Sequence, residues 1–226
     1  MDFERARYNM VEQQIRPWDV LDQDVLDQDV LDLLLVVRRE DFVPPAYRAI
    51  AFTDMEVPLV LDGVKTGECM LSPKVEARLL QNLSVRRHEH VLEIGAGSGH
   101  MAALLAHRAR HVVSCEIHPG LAAFARANLE RAGVRNVLVE QRDGAQPAGS
   151  GSYEVILLSG SVPFVPEMLL HRLSIGGRLA AVVGDAPAME AQLITRTGPD
   201  SFTAETLFET VAPRLHGFPE KDGFRF

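Results

Sequence analysis

The sequence predicts an α/β chain built on a doubly wound, mostly parallel sheet, with an antiparallel C-terminal part and an N-terminal helical extension. Three observations predict it. Val91–Ile94 is a short apolar run suited to a strand buried on both faces, followed by glycines at 95, 97 and 99 and a helical stretch over Met101–Ala106. Arg110–Ile117 is a second strand pattern ending in the acidic Glu116, within the roughly twenty-residue offset at which a carboxylate reaches ribose hydroxyls. Asn136–Gly144 is a third, closing on Asp143-Gly144.

Residues 3 to 16 carry Phe3, Ala6, Tyr8, Met10, Val11 and Ile15 among charged and amide residues, a pattern that predicts a helix ending before Pro17. The pentapeptide Asp19–Gln23 is then repeated as Asp24–Gln28 and begun again at Asp29. Five residues advance a helix by roughly 140° beyond a full turn, so the copies cannot share one apolar face. They read as an inserted copy carried in a longer loop or an extra helical turn. Val30–Val37 is apolar enough for a buried helix, and Pro44 and Pro45 cannot continue it. Tyr47–Leu61 reads as loop and short strand. Ser72 then caps a helix that runs from Pro73 to about Gln81, with proline at its first position and Glu76 in its first turn.

In the glycine turn, Gly95, Gly97 and Gly99 let the main chain bend sharply and approach a ligand, while the following helix offers unpaired N–H groups. His100 breaks the G-x-G-x-x-G spacing of nicotinamide and flavin sites. Further on, a helix over Pro119–Ala132 stops at Gly133, and Gly144–Gly151 is loop. Tyr153–Leu158 is a strand that ends at Ser159. Pro166–Leu173 reads as a helix, Gly176-Gly177 as a turn and Arg178–Val183 as a fifth strand. Residues 189–197 and 201–211 alternate apolar and polar side chains as antiparallel strands do. One domain, 1–226, is expected: an N-terminal segment (1–82), a ligand-binding core (83–184) and C-terminal strands (185–226).

The 226 residues suffice for one good core. A formal net charge of −8 argues against binding to a phosphate backbone, so nucleic acid is not an expected partner. There is no signal-peptide core and no run of roughly eighteen apolar residues, which makes a cytoplasmic address the expectation and a membrane not a partner. Cys69 and Cys115, the only cysteines, support neither a disulfide framework nor a zinc site, and Cys115 reads as a buried strand residue. The oligomeric state stays open between a monomer and a weak dimer.

An apolar strand carrying Glu93, then Gly-x-Gly-x-Gly, then a strand ending in Glu116 resembles the S-adenosylmethionine site of class I methyltransferases, a Rossmann-like fold. The flanks are more particular. Asn9–Gln14, the Phe42-Val43-Pro44 segment, Val57-Pro58-Leu59, Leu71-Ser72-Pro73 and Pro166–Gly177 occur in the order found in protein-L-isoaspartate O-methyltransferases, and the resemblance covers nearly the whole chain. It implies S-adenosylmethionine as cofactor, S-adenosylhomocysteine as product, and a protein or peptide substrate methylated on an isoaspartyl carboxylate. It assigns cofactor contacts to Glu93, Gly95, Ala96, Gly97, Ser98, Gly99, Glu116, Ile117, His118, Asp143, Gly144 and Ser159. Ser72 takes the catalytic position, and Leu71 and Arg214 take substrate contacts.

A carboxylate acceptor is already ionised at neutral pH, so no general base is required. The site has instead to hold it in line with the methyl group and exclude water. Where the family usually reads Gly-Gln-Thr-Ile-Ser, this chain has Gly67-Glu68-Cys69-Met70-Leu71-Ser72, one residue more, and Glu68 adds an anion that repels an anionic substrate. Two alternatives therefore remain: a methyltransferase of the same ancestry acting on another acceptor, and a cofactor-binding protein without transfer.

Overall fold

The computed structural model describes residues 2–18, 26–146 and 151–220. The whole first pentapeptide (19–23), the first two residues of its second copy (24–25) and residues 147–150 of the Gly144–Gly151 loop lie outside the described residues.

The N-terminal segment is helical but irregular. Helix α1 (Phe3–Met10), capped by the Asp2 carboxylate, runs directly into a π-helical turn, Val11–Ile15, and a 3-10 turn, Arg16–Trp18. The predicted stop before Pro17 is therefore displaced, because Pro17 is taken into the 3-10 turn. The wider π turn leaves Val11 and Ile15 fully buried. Gln14 anchors the passage to the following loop, donating to Phe52 O at 3.0 Å and accepting from Asp54 N at 3.0 Å. Helix α2 (Gln28–Val36) buries Val30, Leu31, Leu33 and Leu34, and two 3-10 turns, Arg39–Asp41 and Pro45–Ile50, follow it.

Strands β1 (Val57–Leu61) and β2 (Val64–Met70) form an antiparallel hairpin, where loop and a short strand are expected over Tyr47–Leu61. Its turn is Asp62-Gly63, with φ of 49° and 80°. Both residues are thus left-handed, which is the geometry that two-residue hairpins select. Helix α3 (Pro73–Leu83) starts after Ser72 as expected and extends slightly beyond Gln81.

The main sheet contains β3 (His90–Ile94), β4 (His111–Glu116), β5 (Val137–Gln141), β6 (Tyr153–Val162), β7 (Leu173–Asp185), β8 (Ala188–Gly198) and β9 (Ser201–Glu209), in the order β5-β4-β3-β6-β7-β8-β9. Pairing is parallel from β5 to β7 and antiparallel from β7 to β9. Helices α4 (His100–Ala106), α5 (Pro119–Arg131) and the short α6 (Glu167–Leu170) connect these strands. α6 is shorter than the expected Pro166–Leu173, because β7 begins at Leu173 and runs through Gly176-Gly177. That pair is a kink inside a strand rather than a turn: Gly176 has φ 83°, and a Cβ on Gly177 would meet the Glu154 and Ser174 carbonyls at 2.9 Å.

Alternate residues of the central strands feed two cores, as the two-residue strand period requires. Val91, Val112, Val155, Leu157, Ala180 and Val182 point to the side carrying α2 to α5, whereas Leu92, Ile94, Cys115, Ile156, Leu158 and Leu179 point to the other. That second face is covered by Leu169 of α6 and Phe218 of the C-terminal segment. After β9 this segment returns to the sheet: Ser161 N donates to Pro213 O at 2.7 Å and Leu215 N to Ser161 O at 2.9 Å. No helix among the described residues is long and apolar enough to cross a membrane.

A cleft above the glycine turn

Strand order reverses between β3 and β6, and in open α/β sheets the crevice beyond the strand ends at that point is where ligands bind. Here it is a cleft of about 450 Å³, within the range of small-molecule sites. Its floor is Ile94, Gly95 and Gly97. One side carries Glu116, Ile117, His118 and Gly144, and the other carries Thr66, Glu68 and Cys69 of β2, with Ser159, Leu215 and His216 closing it. A recess of about 30 Å³ continues beneath, lined by Leu71, Glu76, Ala96 and Ser98 among others.

The glycine turn is folded for close approach. Gly95, Gly97 and Gly99 have φ of 96°, 53° and 83°, a region costly for any residue with a Cβ. A Cβ at Gly95 would strike the Leu215 side chain at 2.9 Å. At Gly99 it would press on Ala125 and Leu129 at 3.2 Å, so this glycine serves the packing of α4 against α5 and does not line the cleft. Gly144 permits another contact, since a Cβ there would overlap Ile94 at 2.4 Å.

Glu116 reaches back across the turn. Its Oε2 accepts from Gly97 N at 2.8 Å and its Oε1 from His118 N at 2.9 Å. A carboxylate has about four lone-pair sites, so each oxygen keeps one for a ligand hydroxyl. His118 N-caps α5, its Nδ1 accepting from Gly120 and Leu121 N–H at 3.1 and 3.3 Å. Asp143 does not line the cleft; its carboxylate accepts from Ala145 N at 2.9 Å and Gln146 Nε2 at 3.1 Å and shapes the turn that presents Gly144.

Glu93 lies under the floor, fully buried, accepting from Ser159 Oγ at 2.8 Å and from Ser114 Oγ at 2.5 Å. Burial pushes its carboxyl up to about 8, against the lowering effect of the two hydroxyls. It fixes Ser159 on the cleft wall without reaching the cleft itself. Behind the recess, Arg39 Nη1 bonds Glu76 at 2.5 Å, Nη2 bonds Leu71 O at 2.8 Å, and His100 Nδ1 lies 3.0 Å from the same Glu76 carboxylate. Burial alone would raise Glu76, but His100 and Arg39 hold it below the ordinary carboxylate value.

The expected acceptor residues are placed less simply. Ser72 is the N-cap of α3 by position, but its side chain makes no capping hydrogen bond and it lines neither cleft nor recess. Leu71 does line the recess. Arg214 is turned away to Asp185 at 2.6 Å and Glu220 at 3.9 Å. The neighbouring Leu215 and His216 face the cleft instead, and His216 Nε2 meets Glu68 Oε1 at 2.9 Å. The sequence reading missed both these residues and Cys69, whose thiol is held at about 12 by burial and by the nearby Glu56. No local pattern marks Leu215 or His216, because only the long return of the chain brings them to β3.

A sequence model of protein-L-isoaspartate(D-aspartate) O-methyltransferase matches residues 17–212. A protein-L-isoaspartate O-methyltransferase of Methanoculleus marisnigri is 37% identical over 196 residues, 86% of this chain and 84% of its own. That of Methanospirillum hungatei is 37% identical over 199 residues, 88% of this chain and 89% of its own. Among solved structures, a Plasmodium falciparum protein assigned to the same class and crystallised with S-adenosyl-L-homocysteine superposes with TM-score 0.75 at 19% identity, covering 95% of this chain and 98% of that one. At that identity the likeness speaks for the fold.

Proposed function

This chain belongs to the protein-L-isoaspartate(D-aspartate) O-methyltransferase family, and from that premise we propose that it transfers a methyl group from S-adenosylmethionine to the carboxylate of an isoaspartyl residue in a protein or peptide. The observation that carries the reading is the glycine-turn cleft with Glu116 on one wall and a separate wall from β2 opposite. When bound, the cofactor supplies the electrophilic methyl group.

The rest falls to the chain's own residues. Gly95 and Gly97 leave room against the floor, and the two remaining lone-pair sites of Glu116 suit a pair of vicinal hydroxyls. Gly144 and Ile117 bound the side on which an aromatic base fits. Leu215 excludes water from the end next to Gly95. None of these groups has to remove a proton, because the acceptor arrives ionised. Catalysis of this kind rests on orientation and exclusion of water, which can supply several powers of ten in rate.

A second reading, the same chemistry on another acceptor, is favoured by one placement. Laid from Gly67 without a gap, the family's Gly-Gln-Thr-Ile-Ser ends on Leu71, the residue that lines the recess; on that count a leucine stands where the family has its serine. Ser72 then only marks the helix start, where its backbone carbonyl accepts from Glu76 N at 3.1 Å.

The deciding experiment supplies labelled S-adenosylmethionine with an isoaspartyl peptide and with its aspartyl counterpart. Label in the first alone is expected. Equal labelling of both, or of neither while a cell extract is labelled, would replace the first reading with the second.

A further inference from the structure

The acceptor wall holds a contact between a half-buried carboxylate and an exposed imidazole. Glu68 on β2 and His216 on the C-terminal return both line the cleft, and Nε2 of His216 meets Oε1 of Glu68 at 2.9 Å. The two residues are 148 positions apart in the chain. Because a carboxylate in this contact accepts, Nε2 carries a proton and Nδ1 is left to deal with a ligand.

A carboxylate entering this cleft meets Glu68 and Glu116, and no lysine or arginine is among the described residues that line it. Most other side-chain donors around the cleft are engaged. Thr66 Oγ1 donates to Leu59 O at 2.7 Å, and Ser159 Oγ donates to Glu93. His118 Nδ1 accepts two backbone N–H groups, so the one donor of this ring is Nε2–H, on the Glu116 side of the cleft. Cys69 is a neutral thiol and a weak donor. Arg214 does not line the cleft; its Nη2 bonds Asp185 while its Nη1 is buried without a partner. An anion brought into such a place without a cation or a donor would be costly.

We propose that His216, held by Glu68, is the acceptor-binding residue of this enzyme: its imidazolium, bonded to Glu68 through Nε2, receives the substrate carboxylate through Nδ1–H. The inference rests on the isoaspartyl reading for its ligand. It adds a specificity element on the wall opposite Glu116, and it explains how Glu68 is tolerated there, since the partner imidazolium offsets its charge.

The test is calorimetric and does not require turnover. Protein saturated with S-adenosylhomocysteine is titrated with an isoaspartyl peptide and with the same peptide amidated on the isoaspartyl carboxyl. Wild type is expected to prefer the acid at least tenfold. His216→Gln, which keeps a hydrogen-bonding side chain but no charge, is expected to bring the preference to within about twofold. Affinity for S-adenosylhomocysteine and the melting temperature, measured in parallel, separate a loss of acid preference from a loss of the cleft itself. His216→Lys is expected to recover most of the preference, which a merely structural contact with Glu68 would not predict. A wild type without preference, a Gln variant that keeps it, or a Lys variant no better than the Gln variant overturns the proposal. If wild type prefers the acid peptide yet never methylates it, the functional reading falls while the binding site stands.

Discussion

Ser159 Oγ donates to Glu93 Oε1 at 2.8 Å from the edge of the cleft to a carboxyl that has no exposure to solvent. With its carboxyl near 8, Glu93 keeps its proton in the folded protein through neutral pH, shared with Ser114 Oγ at 2.5 Å so that Ser159 remains the donor to Oε1, whereas the unfolded chain loses it near the ordinary value of 4.5. Between those two values the native state binds the extra proton, so stability is full below about 4.5 and falls as pH rises towards 8. Glu93→Gln should flatten this slope, raising stability at pH 8 by a few kcal/mol and leaving it nearly unchanged at pH 4.5. Thermal melts of both proteins across that range decide it; parallel curves would show that Glu93 is ionised when folded.

Glu116 should govern cofactor affinity. Exchange for Gln keeps the size but replaces one acceptor oxygen by a donor, and loss of charged hydrogen bonds of this kind costs about 1.5–3 kcal/mol. An affinity for S-adenosylhomocysteine at least tenfold weaker is expected by calorimetry. An unchanged affinity would move the sugar site elsewhere.

The glycine turn gives a sharper contrast. Gly95→Ala places a Cβ at φ 96° and against Leu215, so it should weaken cofactor binding and lower the melting temperature together. Gly133, at φ 72° with open space around it, should lower the melting temperature on substitution by Ala and leave cofactor affinity alone. Equal affinity losses at the two positions would mean that strain alone explains both.

Ser72 supplies the test of the acceptor loop. Ser72→Ala is expected to change methyl transfer by less than about threefold, since the half-buried side chain neither caps α3 nor lines the cleft. A loss of two powers of ten would return the catalytic role to this serine.

Arg178 carries an expectation for stability. Its guanidinium bonds both oxygens of Glu89 at 2.7 and 2.9 Å and the carbonyls of Leu83 and Ser84 at 2.6 and 2.8 Å, tying the end of α3 to β7. Arg178→Met strands the mostly buried Glu89 and two helix-end carbonyls, at a cost of about 3 kcal/mol. Chemical denaturation measures it, and a cost under 1 kcal/mol would make the cluster ornamental.

The core of this fold was legible because its signals are local. Val91–Ile94, the three glycines and Glu116 lie within one strand-turn-helix-strand passage, where burial on both faces and left-handed backbone leave few alternatives. The β1-β2 hairpin has a local signal in Asp62-Gly63 after the apolar run Val57–Leu61, but β2 carries Lys65, Thr66, Gly67 and Glu68 and is mostly exposed or half-buried, which makes it a weak strand pattern. What could not be read is set by distance along the chain. Arg214 and His216 are two residues apart in an irregular segment, and nothing in their spacing tells which faces the cleft and which pairs with Asp185. Ser72 and Leu71 illustrate the same limit, since adjacent residues at the entrance to a helix point to different sides.

Leu215 fills the space left by the missing side chains of Gly95 and Gly160, so one wall of the cleft is a contact spanning 120 residues. Contacts so remote are paid for in loop entropy and close late. A refolding chain would therefore acquire its sheet before it acquires any affinity, and ligand uptake becomes a clock for the final step of its assembly.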